Sequence, residues 1–286
     1  VLIGYGAGGG TDRAARAVGA PLSQILGQTL VYVNLPGGAG SICEDYLLKQ
    51  PADGYTLLAM GSDFPINLVT GRNPNSLDDY IALCQVQQDT GCIQINAKDS
   101  RFSSADEFVA YAKNNRVTIG GTGAGGFDEV VVALFVKATG IQAEYVTYEK
   151  SGKMRAAVVA GDIDACHEEF GPAISLIESG DLKPIVVFAP ERVGDFPDLP
   201  TAPEIGCDVT LGRWRAFLLK AETPGDIVQT LESAIHQSYQ DAGYKKFEKE
   251  SYLHLREGWK GGADYRQMII DDMEMYKGVL TELGYL

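Results

Sequence analysis

The amino-acid sequence predicts an α/β protein organised as two lobes, each built around a largely parallel sheet. Two observations carry this. Short β-rich runs alternate with glycine turns and amphipathic helical stretches, the order that parallel-sheet domains require. The opening segment VLIGYGAGGGTDR is then repeated in design by VTIGGTGAGGFDE from Val117. Val1, Ile3, Gly4, Gly9, Gly10 and Asp12 align with Val117, Ile119, Gly120, Gly125, Gly126 and Asp128 at a constant offset, so a strand, a glycine loop and a helix begin each lobe.

The elements follow from period and punctuation. A strand over 1–3 leads through the first glycine loop into a helix over 12–26. Strands follow at 30–33, closed by Pro36-Gly37-Gly38, and at 55–60. Strands over 81–86 and 92–95 flank Asp89-Thr90-Gly91 and predict a hairpin, and a helix over 104–114 takes Ser103 or Ser104 as its cap. The second series runs through strands at 117–119, 144–148, 163–167 and 183–188 and helices at 152–160 and 171–179. Prolines at 190, 197, 200 and 203 mark an irregular surface stretch, and a strand over 210–220 carries the chain back to the first lobe. Two long helices close the chain, over 224–242 with Thr223 as cap and Pro224 in the first turn, and over 263–283.

Composition narrows the function. The net charge of −14 and the absence of a basic stripe argue against nucleic acid. No apolar run is long enough to span a membrane. Val1 opens directly onto a strand, which predicts that a targeting segment and a few mature residues precede it. The five cysteines, at 43, 84, 92, 166 and 207, have no metal-ligand spacing and read as buried small hydrophobes. No nucleophile-elbow, zinc-protease or SxxK motif is present. Of three histidines, His236 and His254 fall on helical stretches. The adjacent Glu168 and Glu169 read first as a solvated strand end, although a general-acid or metal role is chemically open to them.

Both glycine loops match GxGxxG, at Gly4, Gly6, Gly9 and at Gly121, Gly123, Gly126. A dinucleotide site also needs an acidic residue at the end of the next strand; the first repeat offers Asn34 and only the second, with Glu149, could serve. Neither loop continues into the Lys-Ser or Lys-Thr of a phosphate-binding loop. The better reading keeps the glycines' close approach and the unpaired amides that open a helix, which make each loop an anion site. Tight structural turns are the plain alternative.

The chain resembles, nearly end to end, the substrate-binding proteins of tripartite tricarboxylate transporters, the Bug or TctC family of periplasmic receptors. The matching stretches are AGGGTDRAAR (7–16), VYVNLPGGAG (31–40), PADGYTLL (51–58), GTGAGG (121–126), ATG (138–140), AGDIDA (160–165) and DLPTAPEIG (198–206). The resemblance implies a two-lobed type II periplasmic-binding-protein fold with mixed, mostly parallel sheets and two crossing strands. One lobe comprises 1–98 with 215–286, the other 99–214, and the ligand cleft lies between them. It implies a non-enzymatic, exported, monomeric receptor without cofactor or metal, which delivers a small carboxylate to membrane transporter subunits. Ligand contacts carry over to Tyr5, Gly8, Gly9, Gly10 and Thr11, to Ser62 and Asp63, to Thr122, Ala124, Gly125, Gly126 and Phe127, and to Glu168. The chain departs from the family at Gly6-Ala7-Gly8, where a proline is usual, and at Asp128-Glu129, where a His-Leu pair is usual. Asp63, Glu168 and Glu169 would then favour a ligand with an amino or hydroxyl group beside its carboxylate. A sensory receptor with the same clamp is the alternative function, and a dinucleotide-dependent enzyme a more distant one.

Overall fold

A computed structural model describes all residues, 1–286. The chain divides into two compact units, one of residues 1–88 with 214–286 and one of residues 89–213. The first is built from β1 (Leu2–Ile3), α1 (Gly10–Leu26), β2 (Val33–Asn34), α2 (Ser41–Leu48), β3 (Leu58–Gly61), α3 (Asp63–Val69) and β4 (Tyr80–Gln88). The second holds β5 (Gly91–Asn96), α4 (Ala105–Ala112), β6 (Val117–Thr122), α5 (Phe127–Thr139), β7 (Ala143–Tyr148), α6 (Ser151–Ala160), β8 (Ala165–Glu169), α7 (Phe170–Glu178) and β9 (Leu182–Val187). The first unit then resumes with β10 (Trp214–Lys220), α8 (Gly225–Tyr239), α9 (Ala242–Glu250), β11 (Lys260–Gly261) and α10 (Gly262–Glu282).

The first unit's sheet has the order β11-β4-β10-β3-β1-β2, with β1 parallel to both neighbours and β10 antiparallel to β3 and β4. Strand β10 is buried on both faces. Phe217 and Leu219 join Val18, Leu22, Leu83 and Ile235 under α1 and α8, while Trp214, Ala216 and Leu218 join Met60, Phe64, Tyr80 and Ile269 under α3 and α10. This two-sided burial is why the segment reads as a continuous apolar run rather than an alternating one. The second unit's sheet has the order β7-β6-β8-β5-β9, with β6 parallel to β7 and β8, and β5 antiparallel to β8 and β9.

The hairpin expected at Asp89-Thr90-Gly91 does not form. Strand β4 pairs with β10 and β11, whereas β5 pairs with β8 and β9 in the other sheet. The Asp89 N–H donates to the Arg213 carbonyl at 2.7 Å, so the turn-like tripeptide is a passage between sheets held by the returning segment. The division expected at residue 98 therefore falls at 88–89, and β5 belongs with the second unit. The helix expected over 224–242 is α8, which ends at Tyr239; the Asp241 carboxylate then caps α9, a helix the sequence does not predict, through the Gly243 N–H at 2.7 Å. Thr223 does not cap α8; its hydroxyl donates to the Lys220 carbonyl at 2.7 Å. All five cysteines are free and buried, and burial pushes Cys43 up to about 12 and Cys207 up to about 11, so their thiols stay protonated.

Beneath the Pro36–Gly40 turn lies a buried polar cluster. Glu44 of α2 is fully buried, with its carboxylate accepting from Asn67 Nδ2 at 2.8 Å and from Asn73 Nδ2 at 2.7 Å. The same Asn67 amide donates to the Ala39 carbonyl at 3.0 Å, which holds the left-handed Ala39 (φ 54°) in place. Burial pushes the Glu44 carboxyl up to about 8, although both asparagines favour its ionised form, and the charge on Asp63 pushes it the same way. A folded-state value above the unfolded one means that the native protein holds this proton more tightly. Its stabilising contribution is complete below the unfolded value of 4.5 and is lost as the pH rises through about 8. Between pH 5 and pH 9 the melting temperature should fall, and Glu44→Gln should flatten that slope; an unchanged slope in calorimetry would show that another group sets it.

Candidate ligand-binding loops

Each repeat ends a central strand in a glycine loop and starts a helix there. In the first, Gly4 packs so closely that a Cβ would stand 2.5 Å from Met60 Sδ and 3.1 Å from Gly40 Cα. Gly8 is left-handed, with φ 79°, a conformation that glycine adopts without strain. Its N–H donates to Asp12 Oδ2 at 2.8 Å, and the Gly9 N–H donates to the Gly6 carbonyl at 3.2 Å. Gly8 and Gly9, expected as ligand donors, thus use their amides inside the loop. The first helical bond of α1 is Arg13 N–H to the Gly9 carbonyl at 2.9 Å, so the amides of Gly10, Thr11 and Asp12 have no acceptor within the helix.

Asp12 organises this loop. Besides Gly8, it accepts from Arg16 Nε at 3.0 Å and from Asn34 Nδ2 at 3.0 Å, and the same Asn34 amide donates to the Tyr5 carbonyl at 2.9 Å. The Arg16 guanidinium, helped by the Gly8 and Asn34 amides, holds the Asp12 carboxyl down to about 2 against its burial. Its negative charge lies in the first turn of α1, where the helix dipole favours it.

The turn after β3 completes this side. Tyr5 donates its hydroxyl to Asp63 Oδ2 at 3.0 Å. Ser62, expected to line the site, is fully buried; its Oγ accepts the Trp214 N–H at 2.8 Å and ties β10 to the end of β3.

The second loop repeats the device with different partners. Thr122 gives both its N–H and its hydroxyl to Asp128 Oδ2, at 2.8 and 2.6 Å. The Gly125 N–H donates to Glu129 Oε2 at 2.6 Å. Helix α5 makes its first bond from Val130 N–H to the Gly126 carbonyl at 3.2 Å, which leaves the Phe127 and Asp128 amides without helical acceptors. Ala124 is exposed at the tip, whereas Gly125, Gly126 and Phe127 are buried.

Behind this loop runs a buried chain of charges. Asp128 Oδ1 meets Arg213 Nη2 at 2.5 Å and His167 Nδ1 at 2.9 Å, so that ring nitrogen carries the hydrogen. Burial alone would push the Asp128 carboxyl up; Arg213, His167 and Thr122 together hold it well below the usual carboxylate range. The Arg213 guanidinium also lies over the Phe127 ring at 4.8 Å and donates from Nε to Glu169 Oε1 at 2.9 Å. Glu168 pairs with Arg155 Nη1 at 2.5 Å. The expectation of a solvated strand end at Glu168 and Glu169 is therefore overturned, since both are buried and each meets an arginine. Burial, then the adjacent Glu169, push the Glu168 carboxyl up in spite of Arg155.

The sequence reading missed Arg155, Arg213 and His167 as partners of these loops. One signal was visible: the repeat aligns Asp12 with Asp128, and both prove to be the residues that clasp their loops.

These features, two mixed α/β sheets each ending a strand in an amide-bearing glycine loop, define a periplasmic-binding-protein fold. A TctC solute-binding protein from Polaromonas superimposes with a TM-score of 0.85 at 23% identity, covering 98% of this chain and 96% of that one. The periplasmic binding protein BugD gives 0.81 at 21% identity over 99% and 96%. MatC from Rhodopseudomonas palustris, with bound malate, gives 0.80 at 20% identity over 98% of each chain. In sequence, Protein BugT of Bordetella pertussis is 25% identical over 292 residues, 99% of this chain and 88% of that protein. The model of the tripartite tricarboxylate transporter family receptor matches residues 14–285. The chain belongs to that receptor family, whose members bind solutes and are not enzymes.

Arg213→Met would strand the buried Asp128 and Glu169 carboxylates without their shared cation. The loss should cost roughly 3 to 5 kcal/mol, the range for removing one partner of a buried ion pair. A urea denaturation midpoint equal to that of the parent protein would show that the chain of charges contributes nothing to stability.

Proposed function

We propose that this protein is an exported, monomeric receptor that takes up a small carboxylate on the helix-opening amides of both glycine loops. It hands the carboxylate to the membrane subunits of a tripartite tricarboxylate-type transporter. The observation that carries this reading is the twice-built loop, in which an aspartate clasps the turn and the first amides of a long helix are left open. Tyr5, Gly10 and Thr11 serve from one unit, and Ala124, Gly126 and Phe127 from the other, with Asp63 and Glu168 as polar surroundings.

Magnitudes agree with this role. Charge-assisted hydrogen bonds contribute roughly 1.5 to 3 kcal/mol each, and a helix N-terminus adds about 0.3 to 2 kcal/mol. Micromolar affinity corresponds to about −8 kcal/mol, which two loops reach together and one alone does not. Malate and adipate, bound by structural relatives from R. palustris, set the class of ligand to try first. The acid that could select an amino or hydroxyl group is already engaged: Asp63 accepts from Tyr5, Glu168 from Arg155 and Glu169 from Arg213. A plain dicarboxylate therefore suits the site as well as a hydroxy acid.

Thermal shift against succinate, malate, adipate, citrate and a set of amino acids tests the proposal. A ligand present at about 100 times its dissociation constant stabilises by about 2.7 kcal/mol. At this chain length that raises the melting temperature by several degrees for at least one carboxylate. A flat response to every carboxylate would remove the basis for this function.

A further inference from the structure

The two aspartates that clasp the glycine loops are each held by an uncharged donor from a neighbouring strand. In the first repeat Asn34, at the end of β2, donates from Nδ2 to Asp12 Oδ1 at 3.0 Å, and β2 runs parallel to β1. In the second, His167 of β8 donates from Nδ1 to Asp128 Oδ1 at 2.9 Å, and β8 runs parallel to β6. In both, Oδ2 is left to the loop, where it accepts from Gly8 in one repeat and from Thr122 in the other. A carboxylate is one rigid plane, so a donor fixed on Oδ1 determines where Oδ2 stands. The His167 ring is confined to this role. Its side chain is 0% exposed, and Phe127 and Phe188 pack against it with ring centroids 6.0 and 5.6 Å away. Nε2 is buried without a hydrogen-bond partner, so a hydrogen there would go unsatisfied and belongs on Nδ1. A Cβ on Gly91 would stand 2.5 Å from Nε2; that glycine leaves the space from which the ring reaches Asp128.

Resting on the carboxylate-receptor reading above, we infer that Asn34 and His167 are positioning residues of the two glycine loops. They set the affinity for a carboxylate through Asp12 and Asp128, without touching the ligand themselves. The arginines supply the charge that keeps each aspartate ionised, and they come from unrelated places: Arg16 from the same helix, Arg213 from a distant segment. The uncharged donor, in contrast, comes in both repeats from a parallel neighbour of the strand that carries the loop. It supplies orientation rather than charge. Asn34 Nδ2 and His167 Nδ1 are also equivalent in reach, since each nitrogen is bonded to Cγ. The first repeat thus shows that an asparagine amide can do what the imidazole does in the second. If the donor is removed, the carboxylate is free to turn about its own axis, the bonds from the loop weaken, and the first amides of the helix lose their fixed aim.

Isothermal titration of malate and adipate into the full chain tests this with three variants. His167→Phe keeps a ring between Phe127 and Phe188 but has no donor, and it should weaken binding about tenfold, equivalent to about 1.4 kcal/mol. His167→Asn loses the ring but keeps an N–H at the same reach, and it should bind within about twofold of the parent. Asn34→Leu removes the donor of the first loop and should weaken binding as His167→Phe does. A merely structural histidine predicts the reverse order, because phenylalanine fills the space of the ring and asparagine leaves a cavity. If a parent protein that binds malate or adipate loses no affinity in His167→Phe, or loses as much in His167→Asn, the inference fails and the receptor reading stands. Should His167→Phe not fold, Asn34→Leu decides, and unchanged affinity there overturns the inference. If the parent binds neither these nor any other carboxylate, the receptor reading fails and takes the inference with it.

Discussion

A carboxylate in the first turn of a helix, folded back onto the glycine loop before it, is the constraint on which both loops depend. Asp12 accepts the Gly8 amide and Asp128 accepts the Thr122 amide and hydroxyl. In each case the aspartate satisfies donors that the loop cannot satisfy by itself, ahead of a helix whose first amides have no helical acceptor. The arrangement works only while the carboxylate is ionised, since a protonated acid would accept fewer of those bonds. Each copy therefore carries its own cation, Arg16 for Asp12 and Arg213 for Asp128.

The two copies reach the same end under different burial. Arg16 is nearly half exposed, and its pairing with Asp12 is an i,i+4 contact on one helix. Arg213 arrives from a segment far away in sequence, is mostly buried, and is shared between Asp128 and Glu169. The first loop is thus organised locally, and the second depends on the chain returning from residue 200 onward before its charge is balanced. Folding of the second loop is accordingly a tertiary event, with a longer loop to close than the first requires.

This difference explains what the sequence made legible. Local signals are legible: the repeated strand, glycine loop and helix, the Ser104 cap that accepts from Glu107, and the strands β7, β8 and β9. Failures arose where a distant partner overrides a local pattern. Asp89-Thr90-Gly91 has hairpin chemistry, yet the Arg213 carbonyl claims its first amide and the chain continues into another sheet. Glu168 and Glu169 look like a solvated pair until Arg155 and Arg213 are brought to them. Helices α2 and α3 are not legible in the sequence because each is short and begins without a side-chain cap, so neither carries the usual starting signal. Arginines are hard to place from sequence for a related reason: a long side chain reaches several residues away from its own strand position.

Amides at a helix start are fixed by the backbone, so they cannot be tuned by substitution without rebuilding the loop. Variation between the two loops therefore lies in the side chains beside those amides. In the second loop those are Phe127 and Arg213, whose guanidinium is already engaged by two carboxylates. In the first they are Tyr5, donating to Asp63, and Arg215, laid against Gly10. Arg213 and Arg215 stand two positions apart on one segment, one completing a buried ion network and the other reaching a helix start. A single returning segment thereby supplies both the cation shared by Asp128 and Glu169 and a guanidinium packed against the first residue of α1.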